Sequence, residues 1–273
     1  MLEMKDVVKT FGDFRALDGL TLTVPKGTVY GLVGPNGAGK TTAIRHLTGV
    51  FRPDSGTVTM NGAPIDENLA AKERIGFIPD EPFYFPAATM EDMRRFYRGI
   101  FHRFDDELYN RMHDIFALPK NSPIRRFSKG MQKQAAFQLT LSSRPEVLIL
   151  DEVARRSVTV LISSHNLREL EDLCDHVGIM NRGKMLLERS LADMQGSTLK
   201  LQIVGEAPEN LDVLHKTSSG RLNTYIVRGS MGQVEAAVRR LDPPYFDILP
   251  LSLEEIFIYE LGGVDYEIKN VLL

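Results

Sequence analysis

A glycine-rich segment near the start of the chain carries the clearest chemical signal in the sequence. It reads Gly34-Pro35-Asn36-Gly37-Ala38-Gly39-Lys40-Thr41. Glycines let backbone N–H groups close around an anion, because a Cβ would block the approach and the required dihedrals. The lysine offers a cation to β- and γ-phosphates, and the hydroxyl is a ligand for Mg²⁺. The residues predicted to hold a nucleotide here are Gly34, Asn36, Gly37, Ala38, Gly39, Lys40, Thr41 and Thr42.

Polar residues also follow two apolar runs of strand length. Asp151 and Glu152 end the run 147–150, and His165 follows the run 159–164. Ligands of α/β sheets bind at the carboxyl ends of the strands, so both groups are expected at that edge. Beside a phosphate loop, the first acid holds Mg²⁺ through water, the second orients the attacking water, and the imidazole reaches the γ-phosphate. The alternatives are a pair of solvated acids and a structural histidine.

Hydrophobic periodicity indicates the elements that must position these residues. A strand at 29–33 leads into the glycine-rich segment and a helix at 41–47 leaves it. Helical spacing runs from about 91 to 117, and a further helix follows Ser128. The aromatic stripe expected to be buried in the first of these is Phe96, Tyr97, Phe101 and Phe104. Other strands are expected at 2–8 and 20–24, a helix at 167–173, and a hairpin from 177–180 and 184–187 around residues 181–183.

Beyond Gly196 the pattern changes. Strands are expected at 199–204, 225–228 and 246–249, and helices at 231–241 and 252–261. The sequence therefore predicts an α/β core followed by a small α+β appendage.

Composition restricts the classes of function. The chain has 273 residues, of which 43% are hydrophobic and 25% charged, as in ordinary soluble globular proteins. Its net charge of −3 argues against a nucleic-acid partner. The single cysteine, Cys174, excludes an internal disulfide and suits a reducing compartment. No apolar run approaches the roughly 18 residues of a membrane span, and the first residues lack a signal-peptide pattern. We therefore expect a soluble, cytoplasmic chain.

A second motif lies just before the Asp151 strand. The segment Phe127-Ser128-Lys129-Gly130-Met131-Gln132-Lys133-Gln134 resembles the signature loop of the ATPase subunits of ABC transporters, LSGGQ followed by QRQ. In that family the serine and second glycine contact the γ-phosphate held by the opposite subunit, which implies those roles for Ser128 and Gly130. Lys129 and Met131 depart from the strict motif. The segment also suits a helix start, because Ser128 can cap the first turn. The start of a helix in turn favours a bound anion.

The resemblance covers nearly the whole chain and implies its fold and ligands. It implies a P-loop NTPase core, with a RecA-like parallel sheet and an antiparallel β part, over residues 1–195, with a helical subdomain at about 82–140. Residues 196–273 would form the α+β accessory domain. ATP and Mg²⁺ are the implied ligands. Phe11 resembles the aromatic that stacks on adenine, and Phe14 is the alternative residue for this role. The competing interpretation is that the ring is an ordinary aromatic of the core. Asp80 stands where the family has a glutamine that senses Mg²⁺, and a carboxylate can ligate Mg²⁺ through water but cannot donate a hydrogen bond.

Partners follow from the same resemblance. It implies a homodimer or heterodimer of ATPase subunits that powers a separate transmembrane permease, at the cytoplasmic face of the membrane. The aromatic segment 82–86 is expected to contact the permease through exposed rings. The alternative is that these rings are buried in the core of the helical subdomain. The C-terminal segment 252–257 resembles the tails of bacterial exporter ATPases, which implies export. A non-transport ABC ATPase is the competing class. Such members carry two ATPase halves or a long coiled coil, and neither is present in this sequence.

One departure bears on catalysis. Only six residues, 153–158, separate Glu152 from the strand at Thr159. Neighbouring parallel strands need a crossover of about a dozen residues or more, usually through a helix. The family that this chain resembles carries a loop and a helix here, which implies that roughly twenty residues are missing, either by a true deletion or because the sequence omits a segment. A deletion would leave a chain that binds ATP but is impaired in dimerisation and hydrolysis.

Overall fold

The computed structural model describes residues 1–151, 159–164, 168–171, 173–252, 255–256 and 259. The chain forms two compact units, one from Met1–Ser164 with Gly178–Leu186 and one from His165–Val177 with Leu187–Leu273. The domain boundary between residues 195 and 196 stays a prediction. No helix in the described part of the chain is long and apolar enough to cross a membrane.

The first unit begins with a four-stranded antiparallel sheet. Its strands, in the order β2-β1-β4-β5, are β1 (Leu2–Phe11), β2 (Phe14–Val24), β4 (Ser55–Met60) and β5 (Ala63–Pro64). Leu2, Leu20 and Leu22 from this sheet are fully buried, and they share one core with Tyr30 and Ile44. Burial of such side chains stabilises the unit by about 1.5–3 kcal/mol each relative to exposure.

A second sheet has six strands, most of whose residues belong to the first unit. Its strands are β3 (Val29–Val33), β6 (Ile75–Ile78), β7 (Val147–Asp151), β8 (Thr159–Ser164), β9 (His176–Asn181) and β10 (Lys184–Ser190), in the order β10-β9-β3-β8-β7-β6. The pairs β3–β8, β8–β7 and β7–β6 are parallel. All six residues of β8 are buried, as expected for a strand covered on both faces.

Helices connect and cover these strands. They are α1 (Lys40–Leu47), α2 (Leu69–Lys72), α3 (Met90–Ile100), α4 (Asp106–Phe116) and α5 (Lys129–Ser142), with a 3₁₀ turn at Ile124–Arg126. The helical pattern predicted at about 91–117 corresponds to two helices, because the chain breaks between α3 and α4. Asp105 caps α4 by accepting a hydrogen bond from the Leu108 N–H, so the second helix starts anew.

The buried aromatic stripe predicted for this region is also wrong. Phe96 is 43% exposed, and the other three aromatics are only half-buried. The α3 residues that are buried are Met90 and Met93. Helical spacing in the sequence therefore identified a helix but not the face that packs on the core.

The second unit contains a four-stranded antiparallel sheet. Its strands, in the order β12-β13-β11-β14, are β11 (Thr198–Val204), β12 (Asp212–Ser219), β13 (Leu222–Arg228) and β14 (Phe246–Pro250), and its helices include α6 (Arg168–Glu171), α7 (Leu191–Ser197) and α8 (Met231–Arg239). Val234 and Val238 of α8 pack on Leu201 and Val227 of the sheet. Cys174 is buried, and burial raises the pKa of its thiol to about 12. Most of the predicted helix 252–261 lies outside the described residues.

Candidate nucleotide-binding site

The phosphate loop joins β3 to α1. Strand β3 ends at Val33, and Gly39, with φ 101°, caps the start of α1. This left-handed backbone is open to glycine and strained for other residues. Lys40 folds back over the loop, and its Nζ donates to the carbonyl oxygens of Gly34 at 2.5 Å and Pro35 at 3.1 Å. The predicted strand, loop and helix are therefore present.

The loop has one closed and one open side. Gly34 and Ala38 are buried, whereas Asn36, Gly37 and Thr41 are exposed. A Cβ at Gly37 would have nothing within 4 Å among the described residues. The open side thus leaves room for an anion beside the start of α1, where backbone N–H groups and the helix dipole favour negative charge.

Strand register brings Asp151 to the same edge of the sheet as the loop. Val33 at the end of β3 pairs with Ser164 at the end of β8, and Ser163 pairs with Asp151 at the end of β7. Both serines are buried. Carboxyl ends of parallel strands are where α/β sheets bind ligands, so the edge has the arrangement expected of a phosphate site with an acid beside it.

The catalytic assignments cannot be placed in the same way. Only the backbone position of Asp151 is described, and Glu152 and His165 lie outside the described residues. Their roles stay predictions. Among the residues that the structure describes, no group of three or more His, Cys, Asp or Glu side chains is arranged to hold a metal ion. The assignment of Thr41, Asp80 and Asp151 as Mg²⁺ ligands therefore stays a prediction.

Asp80 follows β6 at the same edge but already has a partner. Ile78, the last residue of β6, pairs with Leu150 of β7. The Asp80 carboxylate then accepts from Lys133 Nζ of α5 at 3.1 Å, and the neighbouring Glu81 forms an ion pair with Lys129 at 3.7 Å. Both pairs are exposed to solvent, so each contributes little stability. Mg²⁺ would have to compete with Lys133 for Asp80.

The two candidate adenine-binding aromatics face each other across the turn between β1 and β2. Phe11 pairs with Phe14 in the strand register. Phe11 is 45% exposed and Phe14 is 62% exposed, so both rings have a free surface for stacking. The Phe11 ring also lies 5.5 Å from the Phe51 ring. Sequence reasoning did not find Phe51, because nothing in its spacing relates it to Phe11.

The signature segment begins α5. The Ser128 hydroxyl accepts from the Met131 N–H at 3.3 Å and caps the helix, as the sequence predicts. Gln132 donates to the Phe127 carbonyl at 3.0 Å, which steadies the turn before the helix. Gly130 is exposed, and a Cβ added to it would have nothing within 4 Å among the described residues. No packing in this part of the chain therefore explains a glycine at that position.

The aromatic segment 82–86 divides between core and surface. Tyr84 is buried, its hydroxyl donates to the Gln132 carbonyl at 2.6 Å, and burial raises the pKa of this phenol. Phe83 is 74% exposed, and its ring contacts that of exposed Phe85 at 5.6 Å, which in turn contacts Phe96 at 5.1 Å. Three adjacent exposed rings form an apolar patch suited to a protein partner.

Comparison with known proteins identifies relatives of the whole chain. The ABC transporter ATP-binding protein YtrB of Bacillus subtilis is 26% identical over 288 residues, covering 96% of this chain and 99% of YtrB. The linearmycin resistance ATP-binding protein LnrL of the same organism is 29% identical and covers 71% of this chain and 70% of LnrL. The solved ATP-binding subunit of an ABC transporter superposes with a TM-score of 0.64 at 24% identity, over 71% of this chain and 92% of the subunit, which supports the fold.

The same alignments are longer than the parts of this chain that they cover. The YtrB alignment runs over 288 residues, while 96% of this chain is about 262 residues, so about 26 positions of YtrB have no counterpart here. The LnrL alignment runs over 219 residues against 71% of this chain, about 194 residues, which leaves about 25 positions.

The family assignment rests on a match to the family as a whole and not only on single relatives. The family described as ABC transporter matches residues 17–155, half of the chain. This range contains both the phosphate loop and the signature segment, and it ends inside the short connection between β7 and β8. The resemblance seen in the sequence is confirmed, and so is the α/β P-loop NTPase fold. The chain belongs to the ABC transporter family, as an ATP-binding subunit.

Proposed function

We propose that the chain binds Mg²⁺-ATP at its phosphate loop and, as half of a dimer, uses ATP hydrolysis to drive a separate membrane permease. The observation that carries the proposal is the phosphate loop itself. Its open side lies beside the start of α1, and Lys40 is held over it. Family membership supports the same ligand.

Binding would be shared among groups along the loop. Backbone N–H groups of Gly37 and Gly39 would surround the phosphates, and the Ala38 N–H, which donates to the Pro35 carbonyl at 3.1 Å, would join them by leaving that carbonyl. Lys40 would exchange its loop carbonyls for phosphate oxygens. Phe11 would stack on the adenine ring through its exposed face, with Phe14 as the alternative. Charge-assisted hydrogen bonds of this kind are worth about 1.5–3 kcal/mol each, so Lys40 is the largest single contributor.

Hydrolysis would use the carboxyl edge of the sheet. Mg²⁺, when bound, neutralises charge on the β- and γ-phosphates, and Thr41, Asp151 and Asp80 are its proposed ligands, directly or through water. Glu152 would accept a proton from the water that attacks the γ-phosphorus as the bond to the β–γ bridging oxygen breaks. His165 would contact the γ-phosphate.

A second copy or a related ATPase subunit would complete each site. Ser128 and Gly130 would contact the γ-phosphate bound by the opposite subunit. The exposed start of α5 supports this role, because its glycine leaves space that the described part of the chain does not fill. Closure on ATP and opening after hydrolysis would move the attached permease.

The apolar patch of Phe83, Phe85 and Phe96 is the proposed contact with that permease. Contiguous exposed aromatics are rare on surfaces without a partner. Such a partner would hold the chain at the cytoplasmic face of the membrane. Export is the proposed direction, in keeping with LnrL, which is named for linearmycin resistance.

Nucleotide binding and turnover of the purified chain test this function. Calorimetry would measure Mg²⁺-ATP affinity, and release of phosphate would measure hydrolysis. Lys40→Ala should reduce affinity by about a hundredfold, since it removes a charged hydrogen-bond donor. Glu152→Gln should preserve affinity and abolish turnover. Absence of binding by the wild-type chain would overturn the proposal.

A second candidate is an ATP-binding subunit impaired in hydrolysis. The observation that favours it is the short connection between β7 and β8. Strands β7 and β8 are parallel neighbours, and the seven residues 152–158 between them are too few for the usual helical crossover. Tight Mg²⁺-ATP binding with no turnover, in the wild type as in Glu152→Gln, would select this candidate.

A further inference from the structure

The hairpin turn between β9 and β10 lies against the closed side of the phosphate loop. The Gly183 N–H donates to the Ala38 carbonyl of the loop at 2.9 Å. The Gly183 carbonyl in turn accepts from the Asp18 N–H of β2 at 3.0 Å. A single residue of the hairpin therefore joins the phosphate loop to the antiparallel sheet through its own backbone.

The backbones at this point are packed too closely for side chains. A Cβ on Gly183 would lie 2.6 Å from the Ala16 carbonyl oxygen and 2.9 Å from Leu17 Cα. A Cβ on Gly39 would lie 2.7 Å from the same Ala16 oxygen and 3.5 Å from Gly183 Cα. The Ala16 carbonyl is thus enclosed between one glycine of the loop and one of the hairpin. Neither glycine can be replaced without moving the backbone of a neighbour.

We propose that Gly183 is a positioning residue for the nucleotide phosphates. It acts through Ala38, since it holds the closed side of the loop while the N–H groups on the open side face the ligand. A shift of the hairpin would move Ala38 and Gly39 together and misalign those donors. Hydrogen bonds prefer donor angles above about 150° and weaken steeply below about 120°, so donors that are turned away from the phosphates bind them less tightly. This inference rests on the proposed binding of ATP at the loop.

A second hairpin turn in the same unit serves as a comparison that distinguishes the proposed role of Gly183 from the ordinary requirements of a hairpin turn. The turn Arg182-Gly183 has φ values of 47° and 76°, and the turn Asn61-Gly62 between β4 and β5 has 51° and 81°. Both have the positive φ pair of two-residue type I′ hairpins. A Cβ on Gly62, however, would meet nothing within 4 Å among the described residues. The two glycines carry the same backbone demand and differ in the packing around them.

The test compares Gly183→Ala with Gly62→Ala in the full chain. Calorimetry would give the Mg²⁺-ATP affinity, and thermal unfolding would show the temperature range in which each variant is folded. We expect at least about a tenfold loss of affinity for Gly183→Ala, equivalent to about 1.4 kcal/mol, and about twofold or less for Gly62→Ala. Equal affinities in the two folded variants would overturn the inference. A wild-type chain that binds no Mg²⁺-ATP would instead overturn the proposed function.

Asparagine at the same positions distinguishes crowding from strain. Asparagine tolerates left-handed backbone better than alanine but carries the same Cβ. Gly62→Asn should therefore recover the stability that Gly62→Ala loses, while Gly183→Asn should bind Mg²⁺-ATP as weakly as Gly183→Ala. Recovery of affinity in Gly183→Asn would show that backbone strain alone was responsible and would overturn the inference.

A measurement on the wild-type chain covers the case in which the Gly183 variants do not fold. Hydrogen exchange of the peptide containing residues 181–184 should slow when Mg²⁺-ATP binds, because an ordered loop holds the Ala38 carbonyl in place for the Gly183 N–H. The peptide containing residues 60–63 serves as the control and should not change. An unchanged exchange rate at 181–184, with Mg²⁺-ATP bound, would contradict the coupling.

Discussion

The phosphate loop and the signature segment both depend on glycines, but the glycines stand in opposite surroundings. Around the loop, a Cβ at Gly34 would overlap the Met180 carbonyl and one at Gly39 would press on Ala16. At the start of α5, a Cβ at Gly130 would meet nothing among the described residues. Gly34 and Gly39 are required by packing within the chain, whereas no packing among the described residues requires Gly130.

This difference indicates where each site is completed. A glycine in a helix interior is up to about 1 kcal/mol less favourable than alanine. Because no described residue crowds Gly130 in α5, we interpret this glycine as a requirement from outside the chain. The phosphate loop is held on its closed side by β2, β9 and the turn that follows β9. The proposed function therefore has the first site built within one chain and the second completed by another.

The largest expected effect is that of Gly34→Ala. The added Cβ would overlap the backbone carbonyl of Met180 and lie 3.0 Å from Ala38 Cβ, so the loop must move. We expect Mg²⁺-ATP affinity to fall by about a hundredfold or more, since several charge-assisted hydrogen bonds are lost together. Calorimetry measures the affinity, and circular dichroism confirms that the variant is folded. A folded Gly34→Ala chain with wild-type affinity would remove the contrast between the two sites.

Gly130→Ala should leave nucleotide affinity unchanged and affect the association of two chains instead. Alanine in an uncrowded helical position should raise the free energy of unfolding by roughly 0.5–1 kcal/mol, measured by urea titration. Mg²⁺-ATP affinity of the single chain should not change. Association of two chains in Mg²⁺-ATP, followed by sedimentation velocity, should be lost because the methyl group occupies the space left for the opposite nucleotide. Lower stability in Gly130→Ala would mean that the glycine serves the chain's own fold.

Sequence reasoning succeeds where the signal is local. It predicts β3 and β8 with the bounds that the structure has, because continuous apolar runs between polar ends are typical of buried parallel strands. It also predicts α1 within one residue and the cap at Ser128. Each of these elements is determined by residues within a few positions of it.

Sequence reasoning fails where a feature is determined by residues that lie far apart in the chain. The sequence predicts the β9–β10 hairpin but not its contact with the phosphate loop, because a glycine in that turn is already explained by its positive φ. Likewise Phe96 has helical spacing like any core aromatic, yet it joins an exposed patch with Phe85. Strand β12, exposed along nearly all of its length, has no apolar alternation to reveal it.

A smaller effect is expected from Ser128→Ala. Loss of the hydrogen bond from the Met131 N–H should lower the free energy of unfolding by about 1 kcal/mol. Mg²⁺-ATP-dependent association should weaken as well, because the hydroxyl is a proposed contact of the opposite nucleotide. Thr89→Ala, which removes the cap of α3, is the matched control: it should lose similar stability and retain association. Loss of association in both variants would attribute the effect to helix capping alone.

The smallest effect is expected from Asp18→Asn, which alters the support of the phosphate loop from its periphery. The Asp18 carboxylate accepts from Lys184, next to Gly183, at 2.9 Å and from Arg15 at 2.8 Å. Hydrogen bonds from Lys184 and then Arg15 hold the pKa of Asp18 below its ordinary value of 3.8. The charged carboxylate therefore stabilises the folded chain above that pH, and this contribution is lost as the pH falls through the lowered pKa.

Because the pair is exposed, Mg²⁺-ATP affinity at neutral pH should fall by about twofold or less. The thermal midpoints of the variant and the wild type should differ at neutral pH and converge on acidification below 3.8. A difference that persists in acid would mean that the asparagine disturbs the hairpin by another route than the lost charge.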